Sequence, residues 1–120
     1  MSAALTYEES EPLMADKPDT PTLEQLELLR HIVLMTRMQG ARKRQRLTQQ
    51  DVADRLGWRR YSVSDLEKGR SKNVLTMWSY GDAINTPLSV LVQQADMDVQ
   101  DYLERGTWRQ LLELHASEGS

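Results

Sequence analysis

Between Arg59 and Lys72 the chain sets five cations, Arg59, Arg60, Lys68, Arg70 and Lys72, among the hydrogen-bonding side chains of Tyr61, Ser64 and Asp65. Arginine offers a planar fork of donors that suits paired acceptors, and lysine offers a point charge that suits phosphate. At helical spacing Arg60, Tyr61, Ser64, Asp65 and Lys68 fall on one outer face. Such a face can hydrogen-bond base edges in a major groove, while neighbouring cations hold the phosphates. Covalent chemistry has no comparable set. The only histidines are His31 and His115, there is no cysteine, and no phosphate loop or nucleophile–base pair occurs. No catalytic, cofactor-binding or metal-binding residue is therefore expected, and catalysis is improbable.

The face needs a scaffold, and residues 49–69 supply one. Val63 and Leu66 are spaced i, i+3 as the inward side of the helix that carries it. Val52 and Leu56, spaced i, i+4, do the same for a helix just upstream. Ala53 is small enough for two helices to cross closely, and Gly57 can take a positive φ between them. Thr48 and Asp51 predict a capping box at the start of the first helix, with Asp in place of the usual Glu. Asn73 is placed to cap a helix through Val74, Leu75, Met77, Trp78 and Ile84, with Asn85 following its end. Thr86 and Pro87 then predict cap and first residue of a helix that buries Leu88, Leu91 and Val92.

Together Leu47-Thr48-Gln49, Ala53, Leu56-Gly57 and the run from Val63 to Arg70 resemble the Cro and phage-repressor family of helix-turn-helix proteins, also called XRE-like. The resemblance covers about residues 34–92, roughly half the chain. It implies a double-stranded DNA ligand. Base contacts would fall to Arg60, Tyr61, Ser64 and Asp65, and phosphate contacts to Gln49, Arg59, Lys68, Arg70, Lys72 and Asn73. It also implies a structural ion pair between Arg42 and Glu67. Three residues depart from the family pattern: Arg46 stands where glycine is common, Trp58 replaces a smaller aliphatic, and Arg59 replaces the usual Ser or Thr cap. The function implied is a sequence-specific transcriptional regulator, a repressor binding a pseudo-palindromic operator as a homodimer. An alternative is an antitoxin-like protein that neutralises a toxin-like protein partner and autoregulates its operon.

A net charge of −3 argues against nucleic acid until its distribution is considered. Residues 1–29 hold seven acids and one base, residues 37–72 eleven bases and four acids, and residues 73–120 seven acids and two bases. The positive block coincides with the helix-turn-helix. No apolar run is long enough to span a membrane, and the acidic start is unlike a signal peptide, so a cytoplasmic protein is expected.

The flanks are read as additions. Residues 1–21, with three prolines and scattered acids, are expected to form a disordered acidic arm, either a solubilising tail or a competitor for the basic face. Thr22 and Gln25 predict a capping box that opens a long helix with an apolar stripe from Leu23 to Ala41. Gly40 weakens that helix by roughly 1 kcal/mol against alanine and can bend it. His31 is read as a surface or packing residue, and Trp58, Trp78 and Tyr80 as core or rim packing. After residue 95, Asp98 is expected to cap a short helix with Val99, Tyr102 and Leu103, stopped at Arg105-Gly106. Thr107 and Gln110 then open another with Trp108, Leu111, Leu112 and Leu114. The stripe with Leu23, Leu26 and Leu29 and the one with Trp108, Leu111 and Leu112 pack together in one chain or across a two-fold axis, as a dimer or partner contact. The expected fold is all-α: a five-helix phage-repressor-like domain over 22–95, with an extended N-terminal helix and extra C-terminal helices over 96–120.

Overall fold

The structure is a computed structural model and describes residues 20–118, so all of the expected arm except its last two residues lies outside the described part. The described residues form six helices and no strand: α1 (Leu23–Arg44), α2 (Gln49–Leu56), α3 (Arg60–Glu67), α4 (Val74–Ala83), α5 (Leu88–Arg105) and α6 (Trp108–Glu118).

Local chemistry sets most of the boundaries. The Thr22 hydroxyl accepts from the Gln25 backbone N–H at 3.1 Å, while the Gln25 side chain accepts from the Thr22 N–H at 2.9 Å. Thr48 and Asp51 make the same reciprocal pair at 3.0 and 2.8 Å, and two donors that the helix leaves unpaired are satisfied at each site. Gly57 ends α2 at φ 71°, and Gly106 ends α5 at φ 72°. Asn73 Oδ1 accepts from the N–H groups of Leu75 and Thr76, and Asn85 follows α4 at φ 58°. Arg46 is also left-handed, at φ 60°, which explains why glycine suits that position.

The C-terminal half differs from the expected layout. α5 is one helix through residue 105, so Asp98 lies mid-helix and caps nothing. Residues 92–98 hold neither glycine nor proline, and Leu88, Leu91, Ala95 and Val99 form one continuous buried face. The Asp98 carboxylate instead takes Arg37 Nε and Nη2 of α1, at 2.5 and 2.8 Å. The hydrogen bond to Asp98 raises the Arg37 pKa and outweighs partial burial, which works to lower it. The start of α5 also moves by one residue: Pro87 takes the cap position, and the Thr86 hydroxyl donates to the Ile84 carbonyl.

Two apolar clusters make the core. One joins Met35, Met38 and Ala41 of α1 with Val52, Ala53, Val63, Leu66, Met77, Tyr80, Ile84, Leu88 and Leu91. The other joins Leu29 and Val33 with Ala95, Val99 and Trp108, flanked by Leu26, Tyr102, Leu103, Leu111 and Leu112. Leu34 touches both. The terminal stripes therefore pack on each other within one chain. Leu23 and Leu114 are the exceptions, at 71 and 57% exposed. Trp58 is half-buried at the rim of the first cluster and Tyr80 is fully buried, but Trp78 is an exposed side chain, not a packed one.

Candidate nucleic-acid interface

α3 is only eight residues long, and its position depends on the residue that ends it. Glu67 is buried, and both of its carboxylate oxygens are shared by two donors. Oε2 accepts from Arg42 Nε at 2.6 Å and from the Tyr80 hydroxyl at 2.5 Å. Oε1 accepts from Arg42 Nη2 at 3.1 Å and from Gln49 Nε2 at 3.0 Å. Arg42 Nη1 also donates to the Leu47 carbonyl at 2.9 Å. One carboxylate thus ties α3 to α1, α2 and α4, with all four elements fixed by charge-assisted bonds. Burial works to lower the Arg42 pKa, but its bonds to Glu67 outweigh this and hold it raised. The Tyr80 hydroxyl is pushed up, by burial first and by Glu67 next, so it stays a donor.

The network continues to the surface. Gln49, expected on phosphate, gives its amide nitrogen to Glu67 and its oxygen to Arg60 Nη1 at 3.3 Å. Arg60 therefore leaves the start of α3 pointing along a path set by the buried acid. Asp65 does not orient Arg60; its carboxylate takes Arg70 Nη1 at 2.9 Å, in a pair whose side chains are 66% and 39% exposed. Arg70 is thereby held on Asp65. Arg59 stands at the cap position of α3 without a side-chain cap bond, and its guanidinium sits 5.9 Å from the Tyr61 ring centre. Tyr61, Arg60, Lys68, Lys72 and Asn73 are exposed, and Ser64 is half-buried on the same helix.

This edge of the molecule is positive and rich in donors, and the first turn of α3 holds no acid. Its uncapped N–H groups and two adjacent arginines all favour an anion. Two contacts were not legible beforehand. Tyr80 could have been suspected, since a tyrosine in an apolar helix has to place its hydroxyl. Arg55, whose Nη1 donates to the Ala83 carbonyl at 2.7 Å and so ties α2 to the end of α4, carried no sequence signal.

His31 lies against the exit of α3, where a Cβ built on Gly69 would meet its Cε1 at 3.2 Å. Its Nε2 is buried without a partner. Burial first, and Lys72 next, lower its pKa.

A helix-turn-helix family profile matches residues 39–91, which run from the last two turns of α1 to the first turn of α5. No curated protein and no solved structure gives a significant match to the chain. Among the described residues no helix is long and apolar enough to cross a membrane. With the profile match enclosing α2, the Gly57 turn, α3 and the Arg42–Glu67 tie, residues 39–91 form a helix-turn-helix domain of the Cro and phage-repressor, XRE-like type found in DNA-binding regulators.

Proposed function

We propose that the protein is a sequence-specific transcriptional repressor that binds a pseudo-palindromic operator as a homodimer, with α3 in the major groove. The observation that carries this reading is the outer edge of α3. It is electropositive, uncapped and exposed, on a helix whose inner end is locked by a buried carboxylate with four donors. Arg60, Tyr61, Ser64 and Asp65 would meet base edges, and Gln49, Arg59, Lys68, Arg70, Lys72 and Asn73 would meet phosphates. Binding then requires two exchanges: Arg60 leaves Gln49 for a base, and Arg70 leaves Asp65 for a phosphate. Both pairs are exposed, so each exchange costs little, about 0–1 kcal/mol.

A single eight-residue helix reads only a few base pairs, which supports a two-fold pair reading two half-sites. Because the terminal stripes are buried against each other, the pairing surface lies elsewhere. Binding-site selection from random duplexes, followed by titration of the recovered sequence, tests the proposal. It should return two related half-sites centred about one helical turn apart, near 34 Å. Recovery of no preferred sequence would overturn the specific reading.

A further inference from the structure

We propose that the apolar face at the start of α4, with the cations just before it, is a docking surface for the chain's own N-terminal segment, residues 1–19, and that this contact competes with DNA. The competition rests on the DNA reading above; the docking does not.

Val74, Leu75 and Trp78 are 56, 69 and 57% exposed. At about 100° per residue they share one arc of α4, which borders the side that buries Met77, Tyr80 and Gly81. A tryptophan and two aliphatics left together in water on a short helix form a patch of the kind that marks an interaction site. Lys72 precedes Val74 directly and is exposed, and the Arg70 side chain is 66% exposed. The surface is therefore apolar on one side and cationic on the other.

Residues 1–19 match that combination. Leu5, Tyr7, Leu13 and Met14 alternate with Glu8, Glu9, Glu11 and Asp16, and the sole base is Lys17. The reach is sufficient. α1 starts at Leu23 and passes the exit of α3 at His31, about 12 Å along its axis at about 1.5 Å per residue. A segment of this length spans up to about 60 Å when extended. A second copy of the chain is a poorer occupant, because a stable pair buries about 800 Å² on each partner and three side chains fall short of it. A symmetric pairing through this patch would also gather two sets of the same cations at one seam.

The test uses the full chain. One variant carries Leu5→Ser, Tyr7→Ser and Leu13→Ser, and another Glu8→Gln, Glu9→Gln and Glu11→Gln; none of these residues belongs to the described core. A control makes the same neutralisation at the exposed Glu104, Glu113 and Glu118. NMR shifts of the Val74 and Leu75 amides and the Trp78 indole are followed without DNA, and affinity is measured for a random-sequence duplex. Both arm variants should move the patch resonances while leaving Val99 and Trp108 in place. They should also bind the duplex about threefold to tenfold more tightly at low salt, with the gain fading as salt rises. The control should leave the patch resonances unchanged and the affinity close to that of the parent. Patch resonances untouched by both arm variants overturn the docking, as do patch shifts that depend only on protein concentration, which would assign the face to a second copy. A patch that responds with no change in duplex affinity supports docking and overturns the competition. Failure of every version to bind any duplex strikes the DNA reading and leaves the docking to be judged on the resonances alone.

Discussion

Glu67 carries more of the structure than any other single side chain. An acid in a basic segment would be ordinary on a surface, but here it is buried with four donors on two oxygens. Removing one partner of such a pair strands the other charge in a dry site, at a cost of roughly 3–5 kcal/mol. Glu67→Ala should therefore lower the thermal midpoint far more than an exposed substitution such as Asp54→Ala. Equal midpoints would show that the network stabilises little. The ion pair was legible through the family pattern. The bonds from Tyr80 and Gln49 were not, because they depend on where α4 and α2 come to rest.

His31 gives a second residue-scale test. Its folded pKa is depressed below the ordinary 6.5, by burial and then by Lys72, with His115 contributing. The unfolded chain then holds more protons on this group than the folded one below about pH 6.5, so stability falls as pH falls through that window. It levels off once the pH is below the folded pKa, and above about 6.5 this group contributes no slope. Urea midpoints measured from about pH 7.5 down to about 5.5 should show the decline, and His31→Gln should flatten it. A slope identical in both proteins would assign it to other groups.

At the scale of elements, caps were the most readable signals. Thr22 with Gln25, Thr48 with Asp51, Asn73, Gly57 and Gly106 all act where their chemistry predicts, because a cap is decided within four residues. Asp98 shows the limit of that logic. It has a cap residue's identity, but the apolar repeat on either side of it keeps α5 helical, and its carboxylate finds Arg37, sixty-one residues away in sequence. Local pattern cannot see that competitor. The missing cap at Arg59 makes a complementary prediction. Arg59→Ser should add about 1 kcal/mol of stability through a new bond to the first turn of α3, and it also removes a cation that opposes the helix dipole. The same change should weaken binding to all duplexes alike, since it removes a phosphate-facing charge. A variant that gains no stability would show that the uncapped turn carries no strain.

For the whole molecule, the sequence left the terminal stripes open between packing in one chain and packing across a two-fold axis. The second core cluster joins the two stripes within one chain: Leu29 and Val33 meet Ala95, Val99 and Trp108. Periodicity gives which residues turn inward, but not which helix they meet, so only the three-dimensional path of α5 could answer the question. Charge segregation was readable because it needs only counting, and Arg59, Arg60 and Lys68, at the ends of α3, are exposed members of the basic block. The central claim is that this edge reads sequence through Arg60 and holds phosphate through Arg59. Its most direct test is to titrate Arg60→Ala and Arg59→Ala against the selected operator and a set of single base-pair variants across a range of salt. Arg60→Ala should lose about 1–3 kcal/mol of discrimination at one base pair, the value of a two-bond arginine–guanine contact. Arg59→Ala should weaken every duplex equally and reduce the salt slope by about one. If Arg60→Ala instead weakens every duplex alike and leaves base preference intact, Arg60 does not read the sequence.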